Sequence, residues 1–510
     1  MSPTTVAVAV AIIGALWLLT RKRRKGPGLP PGPRAYPIIG NLHMMGQLPH
    51  HNLRELAREY GPIMSMRLGL VPAIVVSSPE AAQLFLKTHD TVFASRPKTE
   101  TAKYFHYGIK GLILTEYGPY WRNIRRLSTV KLLNAAKIDS FAAMRRSEVE
   151  RLVASVRGSA VRREVVDVSS KVAEAMENMV CQMVIGRSGD DRFKLKETFQ
   201  EGTQLAGAFN FGEFVPFLLP LDLQGITRRI KEVSTRFNKI LDLIVDEHIR
   251  DAAGTKNSGG RDSDNFLDVL LSLMNTSISD SNDTGDNNRN NVIERDNIKA
   301  ILTDMLGAAM DTSASTVEWT ISELFRHPKT MQKLQAEIRG VVGPTRNVSE
   351  DDLPKLTYLD MVVKEGMRLH PAVPLLLPHE SLEEATIDGY YIPKGSRILI
   401  NVWAIGRDPK AWPDRPEEFI PERFEKSNVD VLGRDFQLLP FGSGRRGCAG
   451  IRLGLIFVRL VLAQLVHCFD WELARNMASS PEKLDMEEKF GLAVHRVNHL
   501  KALPTYRLEC

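Results

Sequence analysis

The chain has 510 residues, 43% hydrophobic and 25% charged, with a formal net charge of +6 from 67 Lys and Arg against 61 Asp and Glu. That length and balance suit a globular enzyme with a large core. The basic excess does not argue for nucleic acid, because five positive charges lie in one run, Arg21-Lys22-Arg23-Arg24-Lys25. The cysteines, Cys181, Cys448, Cys468 and Cys510, are far apart with no C-x-x-C pair, which argues against a disulfide framework and a four-cysteine zinc site.

Residues 2–20 carry no charged side chain and include "VAVAVAIIGALWLL". As a helix this segment spans roughly 30 Å, one bilayer core. A secretory signal would place its charges before the apolar part and a small-residue cleavage site after it. Here the charges follow, so residues 1–25 are expected to be an uncleaved single-pass anchor with the rest in the cytoplasm. The sequons at Asn275, Asn282 and Asn347 are then chance matches. Residues 26–40, with Pro30, Pro31 and Pro33, read as a stiff hinge. Residues 41–510 show no second linker of that kind and read as one catalytic domain. Its one low-complexity stretch, "SISDSNDTGDNNRNN" at 277–291, reads as an exposed loop. Apolar periodicity predicts long helices over 222–252 and 294–326. Strand-like pieces occur at 63–78 and 385–408, the second with hairpin signals at Asp388-Gly389 and Lys394-Gly395. The expected fold is mainly α with a small β region.

Chemistry-bearing stretches follow in chain order. "WRNIR" sets Trp121 and Arg125 one helical turn apart, where Arg125 can meet a carboxylate. "AILTDMLGAAMDTSASTVEW" interrupts a long helix with small and hydroxyl side chains. A hydroxyl that bonds back to a carbonyl bends a helix, and Asp311 beside Thr312 could relay protons there. The alternative is close packing against another helix. "KEGMRLHP" places Glu365 and Arg368 at i, i+3, by itself a solvated pair of little consequence. "HRVNH" gives His495 and His499 zinc-like spacing, but without the glutamate of H-E-x-x-H.

The loop "PFGSGRRGCAG" admits two readings. Gly442, Gly444 and Gly447 fit G-x-G-x-x-G, the spacing of a dinucleotide turn. That turn needs a preceding strand and a βαβ unit, and neither is visible here. The second reading is a metal platform. Cys448 opens a long apolar helix whose N-terminus favours a thiolate, and Arg446 offers a donor to an acidic group. One thiolate with glycines that admit a flat partner suits haem; an inert buried cysteine is the plain alternative.

Together these stretches make the chain resemble the cytochromes P-450 of the plant microsomal type. The resemblance runs along the whole chain: apolar anchor, "PPGP", "WRNIR", "AAMDTS", "EGMR", "PERF" and "FGSGRRGCAG". The last matches F-x-x-G-x-R-x-C-x-G at Phe441, Gly444, Arg446, Cys448 and Gly450. It implies a cytochrome P-450 fold behind a single N-terminal transmembrane helix. By the same resemblance Cys448 is the axial ligand of haem b, and Trp121, Arg125, His379 and Arg446, with Phe441 in the loop, hold the cofactor. Glu365, Arg368 and Arg423 form a structural network, and Asp311 with Thr312 delivers protons. Ala308, Val373, Leu377 and Leu492 are expected to line the substrate pocket. Two positions depart from the family pattern: Ala309 stands where glycine is common, and His379 where arginine is commoner.

The implied function is a monooxygenase of the endoplasmic reticulum membrane, facing the cytoplasm. It would hydroxylate a lipophilic terpenoid or phenolic of plant specialised metabolism with O2. NADPH would serve indirectly, through a separate NADPH–cytochrome P-450 reductase, with cytochrome b5 as a further donor. Membrane lipid and the substrate are the other expected partners, and nucleic acid is not. The alternatives are a dioxygen-independent isomerase or dehydratase of the same family, and a non-enzymatic membrane haem protein.

Overall fold

The computed structural model describes residues 28–105, 110–187, 195–255, 265–276, 292–474, 477 and 480–509. The expected membrane anchor over 1–25, the polar loop at 277–291, and Cys510 lie outside the described residues. The helices that build the site are α1 (Pro119–Leu127), α2 (Ala142–Arg162), α3 (Val168–Ile185), α4 (Leu195–Gly207), α5 (Ile226–Thr255), α6 (Arg295–Arg326), α7 (Pro328–Val342), α8 (Thr357–Leu369) and α9 (Ile451–Cys468). The two long periodic runs become α5 and α6.

Helix α6 runs through the middle, packed on α3, α8 and α9. Most of its side chains are buried around the whole circumference, which its apolar and small residues permit. It is a continuous α-helix for 32 residues, so the expected interruption near Thr312 does not occur. The hydroxyls of Thr312, Thr316 and Thr320 donate to the carbonyls of Ala308, Thr312 and Thr316 within the helix. Bonds of this kind satisfy the hydroxyls without breaking the backbone ladder. Helix α9 is long and apolar enough to cross a membrane, yet 67% of it is buried inside the protein, so it is a core helix. It packs on α6, α7, α8 and α2.

A four-stranded sheet lies to one side. Strands β1 (Ile63–Leu68) and β2 (Val71–Val76) form a hairpin, β3 is His379–Glu380 and β4 is Arg397–Ile400. The order is β1-β2-β4-β3, with β2 and β4 parallel and the other pairs antiparallel. The described part of the proline segment packs on this sheet: Pro31 O accepts from Ser65 N at 2.8 Å, and Pro30 O from Ser65 Oγ at 2.6 Å. Near the C-terminus, β5 (Glu488–Lys489) and β6 (His495–Arg496) form a short hairpin that lies against α6.

Candidate active site

Cys448 precedes α9 by three residues, in a loop whose path requires glycine twice. Gly442 and Gly444 both have φ +67°, and a Cβ on Gly444 would stand 2.2 Å from the Leu86 carbonyl oxygen. The glycines therefore serve a tight turn and a close approach of two backbones, rather than a pyrophosphate. Cys448 N donates to Phe441 O at 2.9 Å, and Gly450 N donates to Cys448 Sγ at 3.3 Å. The sulfur is exposed to a cavity of about 270 Å³. Burial pushes the thiol pKa up, while the Gly450 amide and the Arg125 charge oppose it.

The opposite wall is α6. Ala308, Ala309 and Thr312 line the cavity, and Thr312 Oγ1 donates to Ala308 O at 2.5 Å. Val373 and Leu377 line it as well, as do Ile113, Leu376 and the Phe441 ring. Two expected members stand elsewhere. Leu492 sits in the loop of the β5–β6 hairpin, with its backbone against Gly207 of α4 and away from the cavity lining. Asp311 is half-buried and lines a separate pocket of about 50 Å³ with Glu177, Cys181 and Thr203. Successive helical residues point about 100° apart, so neighbours on α6 face different spaces.

Basic groups crowd one end of the cavity. Arg125 Nη2 donates to Gly447 O at 2.8 Å, and Arg446 Nη2 to Thr115 O at 2.6 Å. The Arg446 guanidinium lies 4.0 Å over the Trp121 ring, whose Nε1 donates to Leu112 O at 2.9 Å. Arg96 joins them: it is buried, its Nη1 donates to Pro378 O at 2.9 Å, and its Nε has no partner. Burial lowers the Arg96 pKa to about 10. Burial, with Arg96 and Arg125 close by, lowers that of Arg446 to about 9. Sequence reading missed Arg96, whose local signal is only "SRP" within 95–97. Asp304 also lines the cavity, but its carboxylate accepts from the amides of Leu112 and Ile113.

His379 behaves differently. Its Nδ1 lies 2.8 Å from Phe93 O, an acceptor only, so Nδ1 carries a proton. Burial and the charge of Arg96 hold its pKa well below the ordinary value, so the ring is neutral and Nε2 is an acceptor. As it stands, His379 cannot donate from Nε2 to an acid in the cavity.

Behind the cysteine loop, Glu365 and Arg368 form a fully buried two-point ion pair, with contacts of 2.7 and 2.8 Å. Arg423 Nε and Ile420 N also donate to Glu365 Oε1, at 2.9 and 2.8 Å. Arg368 further donates to the carbonyls of Gly406, Pro416 and Glu418. The two histidines of "HRVNH" meet different acids: His495 Nδ1 lies 3.4 Å from Glu318, and His499 Nδ1 lies 3.0 Å from Asp167.

An anionic cofactor with an iron at its centre is what this donor set fits. The sulfur faces the cavity, three arginines crowd one end of it, and the buried Arg96 Nε has no partner among the described residues. Those features suit the class of haem-thiolate oxygenases. The chain belongs to the cytochrome P-450 family: the family's model, described as Cytochrome P450, matches residues 30–499. A ginseng (Panax ginseng) relative, cytochrome P-450 CYP736A12, is 54% identical over 512 residues, covering 100% of both chains. A flavonoid 3'-monooxygenase of Petunia hybrida is 41% identical over 502 residues, covering 96% of this chain and 94% of that one. Among solved structures, a zebrafish cytochrome P-450 with abiraterone superposes with a TM-score of 0.72 at 26% identity, covering 90% of this chain and 100% of that one. The protein is thus a cytochrome P-450 monooxygenase with the mainly helical fold of that family, and membership implies haem.

Proposed function

We propose that this enzyme hydroxylates a neutral, lipophilic terpenoid or phenolic of plant specialised metabolism, using O2 and electrons that a separate reductase draws from NADPH. The observation that carries the proposal is the cavity that places the Cys448 sulfur and the Thr312 hydroxyl around one apolar space. The name of the Petunia relative, a flavonoid 3'-monooxygenase, favours the phenolic class.

Haem, when bound, supplies thiolate-ligated iron that activates O2. Cys448 provides the ligand. Arg96, Arg125 and Arg446 hold its acidic groups, with Trp121 stacked under Arg446 and Phe441 closing the loop side. His379 contributes shape and becomes a donor only if an acid brings it a proton. Glu365, Arg368 and Arg423 fix the chain behind the loop. Thr312 holds a proton-bearing hydroxyl toward the cavity, and Asp311 replenishes protons from the far side of α6. Ala308, Val373 and Leu377 present methyl groups to the substrate, and Ala309 narrows the groove beside Thr312. Leu492 shapes the hairpin against α4. Residues 1–25 anchor the enzyme in the endoplasmic reticulum membrane, 26–40 join the anchor to the catalytic domain at 41–510, and that domain faces the cytoplasm. Cytochrome b5 is a second donor.

The test is a panel of neutral phenolics, neutral terpenoids and carboxylated analogues. Spectral shifts that report substrate displacing water are measured first, and product formation with NADPH and reductase second. Neutral members should shift the spectrum and yield hydroxylated product. Preferential binding of the carboxylated analogues would overturn the substrate class.

A further inference from the structure

Two histidines and a glutamate converge outside the haem cavity, and none of them lines it. His50 and His51 lie in the first turn of the helix Pro49–Tyr60, and Glu488 lies on strand β5 near the other end of the chain. Glu488 Oε2 stands 2.6 Å from His50 Nε2 and 3.0 Å from His51 Nε2. The three ligand-type atoms all lie within 4.8 Å of one another. Packing fixes both rings. His51 stacks on Trp403 with centroids 4.0 Å apart, and His50 meets Trp403 edge-on at 5.3 Å and stacks on Phe490 at 5.9 Å. The His50 carbonyl accepts from the buried Asn401 Nδ2 at 2.8 Å. His50 is fully buried, whereas the His51 side chain is 39% exposed, so solvent reaches the cluster from one side.

We propose that His50, His51 and Glu488 form a binding site for a divalent transition-metal cation of the zinc type, which clips the N-terminal helix to the C-terminal hairpin. The inference is independent of the substrate class and of the proton-delivery pair.

Two imidazoles and one carboxylate with a solvent-facing side match a three-ligand zinc set whose fourth position is water. Bonds of about 2.0–2.2 Å place tetrahedral ligand atoms about 3.3 Å apart. The cluster therefore opens by less than about 1 Å to take the ion, and the half-exposed His51 side chain permits that. Without an ion, both rings must aim an Nε2 proton at the same carboxylate oxygen. With one, those protons move to the Nδ1 atoms and the lone pairs turn inward. His50 Nδ1 has no hydrogen-bond partner among the described residues. It is an orphan acceptor in the first state and an orphan donor in the second, so the exchange costs no hydrogen bond there.

The charges agree with this geometry. Arg54 and Arg407 lie over the Trp403 ring at 5.3 and 4.0 Å, and both pair with Glu417. Two guanidiniums thus stand against two carboxylates, Glu417 and Glu488, and these four groups present no net positive charge to a dication. Burial lowers the His50 pKa, which favours the neutral ring that a metal needs. Burial raises that of Glu488, but the bonds from His50 and His51 outweigh it and keep the carboxylate ionised. The clip would bear on the haem cavity through the hairpin. Val494 N donates to the carbonyl of Ala372, a cavity-lining residue, at 2.9 Å.

The test uses full-length holoenzyme treated with EDTA and dialysed, with zinc chloride as the probe. Calorimetry should show one equivalent of zinc bound at this site. Loss of an outer partner alone costs about 10–100-fold in metal affinity, so His51→Gln and Glu488→Gln should each weaken that equivalent at least tenfold. His499→Gln, which removes an exposed histidine paired with Asp167, should leave it unchanged. Wild type that binds no zinc, or His51→Gln that binds it as tightly as wild type, would overturn the site. If Glu488→Gln fails to fold, His51→Gln and X-ray absorption at the zinc edge of the wild-type protein decide. Nitrogen and oxygen neighbours at about 2.0–2.2 Å are expected, and a sulfur neighbour at about 2.3 Å would assign the zinc to a cysteine and sink the proposal. Hydrogen exchange tests the clip: amides over 488–496 should exchange more slowly with zinc in wild type and not in His51→Gln. Zinc bound with no slowing would overturn the link to the hairpin.

Discussion

A single sulfur decides whether this cavity works. Among the described cysteines only Cys448 is open to the cavity; Cys181 and Cys468 are buried elsewhere. Cys448→Ser should abolish the thiolate-type carbon monoxide difference band and oxygenation together, whereas Cys468→Ser should keep both. Arg96 offers a second residue-scale prediction. A charge-assisted bond contributes about 1.5–3 kcal/mol, so Arg96→Ala should release haem at least tenfold faster, read as transfer to apomyoglobin. His379→Ala should change that rate much less, because its Nδ1 is committed to Phe93 O and its Nε2 has no proton to give. Thr312→Ala removes a hydroxyl that touches only its own helix, so folding and haem content should be preserved. The loss should appear as peroxide in place of product per NADPH consumed, and an unchanged ratio at unchanged rate would remove Thr312 from the mechanism.

At the scale of elements, the cysteine loop and the buried ion pair each hold two parts of the chain in register. Gly444 occupies a left-handed turn with a backbone oxygen where its Cβ would be. Gly444→Ala should cost about 1–3 kcal/mol from the dihedral alone, and more from the approach of Leu86 O. The measurement is denaturant unfolding, with haem occupancy followed in parallel. Glu365 joins α8 to the segment around Ile420 and Arg423. Removing it leaves Arg368 charged and fully buried, so Glu365→Ala should destabilise by about 3–5 kcal/mol. Unfolding at an unchanged denaturant midpoint would show that the pair is dispensable.

For the whole molecule, the proposed membrane and reductase contacts can be tested separately. Deleting residues 1–25 should release much of the protein from tight membrane attachment while haem incorporation persists. Protease protection of the catalytic domain in sealed microsomes would contradict a cytoplasmic orientation. Arg122 and Arg126 are exposed on α1, the helix that also carries Trp121 and Arg125. If this face docks an acidic reductase surface, Arg122→Glu with Arg126→Glu should slow reductase-driven turnover in a salt-sensitive way. Peroxide-driven turnover should be spared; equal losses in both assays would point to damaged haem binding.

Local pattern and contiguous motif determine much of this protein by themselves. Apolar periodicity is a property of the chain, so the spans of α5 and α6 and the hairpin-rich sheet could be read before any contact was known. The cysteine loop is likewise local, since its glycines, arginine and thiol lie within eleven residues. Other features depend on which surfaces meet. "EGMR" alone describes a solvated pair, and only the packing of 406–423 over α8 buries it. Asp311 and Thr312 are neighbours in sequence, yet the helical turn sends them to different spaces. Arg96, Arg125 and Arg446 come from three distant segments and crowd one end of the cavity only after folding. His495 stands beside α6 because the side chains of Ser315 and Trp319 donate to the Val494 carbonyl and hold it there. Contacts across hundreds of residues leave no periodic trace in a single sequence, so tertiary structure alone decided them.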